Sequence, residues 1–250
     1  MAFTEDTWIG GNAAGFPATR ASLIQAASQT QPALAAEAMS AVIEAYWKPV
    51  YKYIRVKWKK GNEQAKDLTQ GFFASAIERN LLSRFDASKA AFRTYLRTCV
   101  DGYVMHQFEA EMRLKRGGDT ITVPLDFDDA ERELTLCSAE VSPEEVFHRE
   151  WLRELFSQAI ADLGQLCQEQ DKLLYLQLFN EYDLAEPDAR PTYEQLAGRH
   201  QIPVTAVTNY LAWARRNLRS LLLDRLAGIT SGQRELEQEA RFLLDWEGRR

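Results

Sequence analysis

A chain of 250 residues with a net charge of -6 has room for one large domain or two small ones, each with its own core. No apolar run approaches the ~20 residues that span a bilayer, and Met1 to Asp6 lacks the basic-then-apolar order of a signal peptide. A cytoplasmic protein with no membrane segment is therefore expected. Cys99, Cys137 and Cys167 are odd in number and far apart, which argues against a disulfide framework or a CxxC metal site. The charge is uneven: between Asp119 and Glu150 stand ten acids and two bases, leaving the rest of the chain at +2. An acidic connector thus separates two segments that carry basic clusters, and either could meet phosphate.

In chain order, residues 1–15 have too little apolar periodicity to be ordered, and order is expected from about Phe16 and Pro17. Ala33 to Trp58 reads as helix, with Val42, Tyr46, Val50, Tyr53 and Ile54 on one side and Pro49 expected to bend or divide it. Lys48, Lys52, Arg55, Lys57, Lys59 and Lys60 precede the next acid, Glu63. That run fits a solvated helix face as well as a phosphate- or protein-docking surface.

A helix over 63–82 follows the break at Gly61 and Asn62. Leu68, Phe72, Phe73, Ala76 and Ile77 recur at three- and four-residue steps and are expected to pack inward, with Asp67, Thr69, Gln70 and Glu78 on the outer face. A plain amphipathic helix would show the same pattern. A polar loop with Phe85 inside it, residues 83–89, leads to a helical pattern over 92–116 that Gly117 and Gly118 stop. Residues 119–141 read as a linker, with a short extended piece at 121–123.

Ser142, Pro143 and Glu145 form a capping box and proline start for a helix to about Leu166, and another is expected over 171–182. Thr192 and Gln195 make a second capping box. A short helix with Tyr193, Leu196 and Ala197 inward, a break at 200–203 and a helix over 204–223 together suit a helix-turn-helix. Arg215, Arg216 and Arg219 lie at its far end, suited to phosphate. Many helical hairpins share this pattern without touching DNA. A charged amphipathic tail covers Gln233 to Trp246.

No HExxH, phosphate loop or nucleophile elbow occurs, and His106, His148 and His200 are isolated in sequence. Asp126, Asp128 and Asp129 lack the glycine and terminal glutamate of a calcium loop and read as solvated linker. No enzyme activity, cofactor or metal is expected.

Taken in order, these segments resemble a bacterial RNA polymerase sigma factor of the extracytoplasmic-function class, in the sigma-70 superfamily. The resemblance rests on Phe16 to Leu23, on Ala45 to Tyr51 followed by Asp67 to Phe73, and on Phe85 and Asp86 with Ala91 to Leu96. His106 to Phe108, Lys115 to Gly118, Ser142 to Phe147 and the helix-turn-helix continue it. It implies an all-α fold: a region 2-like helical domain over 16–118, an acidic linker over 119–141, a region 4-like helix-turn-helix domain over 142–227 and a helical tail over 228–250.

It also implies partners: core RNA polymerase, through its beta-prime coiled coil and beta flap, and promoter DNA. On this sequence Glu63, Asp67 and Gln70 fall in the polymerase-docking helix. Phe85, Asp86 and Lys89 fall in the loop that captures an extruded minus-ten base, with Arg93, Arg97, Arg113, Lys115 and Arg116 toward the backbone. Thr205, Thr208, Asn209 and Ala212 occupy the base-facing side of the second helix for the minus-thirty-five element, with Arg215 and Arg216 toward phosphate.

The chain departs from the family pattern in several places. Ala21 stands where tryptophan is usual, His106 where asparagine is, and Gln201 where the turn usually has glycine. Lys66 interrupts the acids of the docking helix; Thr69 reads as an ordinary surface threonine or as a site whose phosphorylation, adding about -1.5 to -2 charges, supplies the acidic surface. A Ser/Thr kinase and an inhibitory protein are further partner classes on the phosphorylation reading. A helix-turn-helix repressor that never meets polymerase, and a helical adaptor that does not bind DNA, remain as other readings of the whole chain.

Overall fold

A computed structural model describes residues 32–113, 127, 130, 141–230 and 232–247. Helices are the regular structure throughout, with no strand among the described residues, as the all-α expectation required. None of these helices is long and apolar enough to cross a membrane. The expected disorder of 1–15, the Phe16 to Leu23 motif, the extended piece at 121–123, Cys137 and the acids Asp126, Asp128 and Asp129 lie outside the described residues.

By internal contacts the described residues form two units, one of those up to 155 together with those from 226 on and one of residues 156–225. The division does not follow the acidic connector. It falls inside two long helices, for a reason visible in the first unit's core.

That core is built on α1 (Pro32–Lys57), which buries Val42, Tyr46, Val50, Tyr53 and Ile54 at helical spacing. α1 runs through Pro49 undivided. Losing one backbone hydrogen bond there is outweighed by burial on both sides, since Tyr46, Val50 and Tyr51 are all at most 2% exposed. α4 (Pro143–Glu169) starts at a serine cap, with Glu145 N donating to Ser142 Oγ at 3.1 Å. Its opening turns pack antiparallel to α1: Lys48 pairs with Glu154 at 3.0 Å and, one turn on, Lys52 with Glu150 at 2.7 Å. Tyr46 stacks on Phe147 and Trp151 at 6.1 and 6.3 Å. The capping box thus marks where a helix begins and not where a domain begins.

Four members of the basic run of α1 are engaged within this unit, although Lys57 and Lys59 are exposed. Lys48 and Lys52 serve α4, Lys57 pairs with Asp101 at 2.7 Å, and Arg55 donates to the Lys60 carbonyl. Within the connector, Phe127 is buried against Trp47 and Tyr51, with ring centroids 5.4 and 5.0 Å away. α2 (Asn62–Glu78), a 3-10 turn at Leu81–Arg84, α3 (Phe92–Arg113) and α8 (Gln233–Glu247) complete this unit.

The second unit takes the rest of α4 with α5 (Leu173–Tyr182), α6 (Tyr193–His200) and α7 (Val204–Gly228) up to Arg225. Ala159, Leu163, Leu178, Phe179, Leu196, Val207, Leu211 and Ala214 form its core. Arg225 ties α7 to α4 through the Asp162 carboxylate at 2.8 Å and Gln158 at 2.8 Å.

Candidate functional site

On α2 the structure turns Glu63 and Asp67 outward and leaves Gln70 half-exposed, at i, i+4 and i+7 on one face. Lys66 bonds back to Glu63 at 3.2 Å, so the interruption in the acids is a local pair at the helix start. The inward stripe is Ala65, Thr69, Phe72 and Ala76, not the row through Leu68 and Ile77. Ile77 is 52% exposed, and Leu68 is half-buried.

Thr69, expected on the outer face, is instead fully buried, with its hydroxyl donating to the Ala65 carbonyl at 2.7 Å. Threonine can be buried at this spacing because its hydroxyl finds an acceptor one turn back, which leaves no orphan donor. Small residues in the stripe also let α2 approach its neighbours. A Cβ at Gly71 would run into the Tyr103 hydroxyl of α3.

The loop before α3 is closed by Asp86, whose Oδ1 accepts from Ser88 N at 3.0 Å and Ser88 Oγ at 2.6 Å. Those bonds, together with Lys89 at 3.3 Å, hold the Asp86 carboxyl below its usual range. Lys89 points into solvent. Phe85 is half-buried, edge-on to Phe92 at 5.1 Å and tilted against Tyr95 at 5.3 Å, so it anchors the loop to α3.

The basic side chains expected to hold DNA beside this loop are engaged within the unit. Arg93 bonds His148 Nδ1 at 2.9 Å and Glu239 at 3.2 Å, and its guanidinium lies 5.5 Å from the Trp151 ring. Arg97 lies over Phe147 at 5.9 Å. Burial, aided by Arg93, pushes the His148 pKa down to about 4, so at neutral pH its imidazole is uncharged and can accept from the guanidinium. The side chains of Arg113, Lys115 and Arg116 lie outside the described residues.

Below the 3-10 turn a cavity of about 240 Å³ opens between α2 and α3, lined among others by Arg79, Arg84, Tyr95, Cys99, Tyr103 and His106. Sequence reasoning did not find it, because its lining comes from three elements with no shared motif. Burial raises the Cys99 thiol pKa, so this cysteine is not a ready thiolate.

In the second unit the short helix α6 and the long helix α7 are joined by residues 201–203. Thr192 Oγ1 accepts from Gln195 N at 3.2 Å and Gln195 Oε1 from Thr192 N at 2.8 Å, the reciprocal cap that opens α6. Gln201 closes α6 in the left-handed region at φ 54. Along α7, Thr205, Thr208, Asn209 and Arg216 are exposed and Ala212 half-exposed, a continuous outward row. No family model, curated protein or solved structure matches the chain.

Arg215 is corrected from phosphate contact to structural tie. It is 9% exposed and grips the Asp183 carboxylate in a forked pair, Nε at 3.1 Å and Nη2 at 2.9 Å. Burial works against its charge, but Asp183 more than offsets this and holds the guanidinium pKa above its ordinary value. The helical period places residue 215 a step of about 100° from 216, which is enough to turn one inward and leave the other in solvent.

Proposed function

We propose that this chain is a transcription initiation factor of the sigma type, which binds core RNA polymerase and directs it to promoters without chemistry of its own, in the cytoplasm. The observation that carries the reading is the outward row Glu63, Asp67 and Gln70 on α2, held on a rigid buried stripe, in a chain that also bears a capped helix-turn-helix. The occurrence of both outward rows in one chain is what favours this reading over a repressor or an adaptor. The loop at Phe85 to Lys89 is the surface for the opened minus-ten strand, and α7 reads the minus-thirty-five duplex through Thr205, Thr208, Asn209 and Ala212, with Arg216 on phosphate.

The phosphorylation switch at Thr69 belongs to the same proposal in an altered form. The buried hydroxyl cannot receive a phosphate while α2 is packed, so a kinase must act on an open α2, and the added charge would keep residue 69 from returning to its buried place and leave it on the surface. In a pull-down of core polymerase, Thr69→Glu binds more tightly than the unaltered chain and the near-isosteric Thr69→Val does not. Equal binding by all three would remove the switch and leave the sigma reading intact.

The decisive measurement is transcription by purified core polymerase on a library of promoter fragments. Defined starts appear only when this chain is added, and Asp67→Lys abolishes them. Tight duplex binding with no core-dependent transcription would make the chain a repressor. Activity in neither assay would leave the adaptor.

A further inference from the structure

α8 is amphipathic in an unusual way. Leu236, Ala240 and Leu243 form its buried stripe, yet Glu235 and Glu239 are buried with them, at 8% and 4% exposure. Acids are rarely taken out of water unless a partner requires them there. Here both partners sit at the first turn of α3. Glu235 accepts a hydrogen bond from the Phe92 amide, and Glu239 pairs with Arg93 at 3.2 Å.

The first contact replaces a missing local cap. α3 begins after Ala91, whose methyl group cannot accept a hydrogen bond, and a carboxylate from the far end of the sequence satisfies the orphan amide instead. An anion on a helix N-terminus beside an arginine is also what a nucleic-acid phosphate offers. Between α8 and the loop lies an open cleft of about 620 Å³, lined by Ala87 to Ala91 on one side and Gly232 to Glu235 with Gln238 on the other. α8 therefore stands over the same loop and arginine that the proposed function assigns to the opened DNA strand.

We infer that α8 is an autoinhibitory strap: Glu235 and Glu239 occupy the anion positions at the start of α3 that a DNA backbone would take, and α8 must swing away before the strand can bind. The inference rests on the DNA reading of this surface. Of the elements that cover Arg93, α8 is the one built to leave. α4 is fixed to α1 by the Tyr46, Phe147 and Trp151 stack and by two lysine–glutamate pairs, whereas among the described side chains of α8 the buried ones are Leu236, Ala240 and Leu243 with the two carboxylates. Burial and the neighbouring Glu235 push the Glu239 pKa up and Arg93 only partly pulls it back, so this carboxylate is held in the contact against its preference for water.

The test uses the full chain and a fluorescein-labelled, mixed-sequence single-stranded oligonucleotide read by anisotropy, with amide hydrogen exchange of residues 233–243 measured in parallel. In Glu235→Gln with Glu239→Gln, exchange in α8 rises and the oligonucleotide binds about tenfold tighter, equivalent to ~1.4 kcal/mol. Ala240→Asp does the same although it adds a negative charge, which separates strap release from a general gain in electrostatic attraction. Arg93→Ala cancels the gain in either background.

If α8 loosens, affinity does not change and Arg93→Ala still weakens binding, the strap is wrong and the DNA surface stands. If α8 loosens and Arg93→Ala has no effect in any background, the DNA reading of this surface falls and takes the strap with it. Unchanged exchange of α8 in Ala240→Asp would show that the helix is not held by the contacts described, and would overturn the strap directly.

Discussion

At the start of α3, arginines are engaged inside their own unit, Arg93 with His148, Glu239 and the Trp151 face and Arg97 over Phe147. Along α7, hydroxyl, amide and guanidinium groups face solvent in one row. The first surface is rich in charge and closed; the second is open, and Thr205, Thr208, Asn209 and Ala212 in it carry no charge. A local count of bases therefore says little about readiness to bind, because a cation can be the means by which a helix is held down. The same distinction recurs between neighbours on α7, where Arg215 is locked to Asp183 and Arg216 is exposed.

That last pair gives the sharpest way to break the comparison. Arg215→Ala strands the Asp183 carboxylate and should cost ~3–5 kcal/mol of stability, measured by urea unfolding of the full chain followed at the transition of the 156–225 unit. Arg216→Ala should leave stability within ~0.5 kcal/mol and lower the slope of log affinity for duplex DNA against log salt by ~0.9. Were the two variants to exchange behaviours, the assignment of tie and contact would be reversed.

Acid should disturb the closed surface selectively. The unfolded chain protonates His148 near 6.5 and the folded chain near 4, so the unfolded state holds more protons in between and stability falls as pH drops through that window. Arg93 and Arg97 repel the added charge and Glu145 attracts it. Glu239, with its pKa raised by burial, acts in the opposite sense, gaining relative stability as it protonates. His148→Gln keeps a neutral acceptor for Arg93 and should flatten the loss of Tm between pH 6.5 and 4. An unchanged slope would mean that His148 does not carry the proton uptake.

The smallest effect concerns the turn that sets α7. Gln201 sits at φ 54, where a side chain is strained and glycine is not. Gln201→Gly should raise stability by ~1 kcal/mol, with duplex affinity unchanged if the turn only positions the helix.

These contrasts also mark where the sequence is readable. The helix boundaries at Ser142 and Thr192 were legible because a cap is a local event in which three or four residues supply both donor and acceptor. The outer row of α2 was legible from its period, but Thr69 was read to the wrong side: apolarity favoured Leu68 and Ile77 as core, while the real stripe is set by small side chains that permit close approach. The ends of the two units were not legible. They depend on which partner Phe147, Trp151 and Leu236 find, and no local pattern encodes a partner. Arg93 fails in the same way, since its occupants come from α4 and α8, far along the chain.

The bond between the Phe92 amide and Glu235 spans 143 residues. During synthesis, at ~5–20 residues per second, that interval lasts roughly 7–30 s. Through it, α3 has its first turn without its cap, and Arg93 has neither carboxylate of α8 beside it. Closure of this surface is therefore a late event in the making of the molecule. On the strap reading, a chain halted before Glu235 lacks the strap, and adding α8 is what makes the surface quiet.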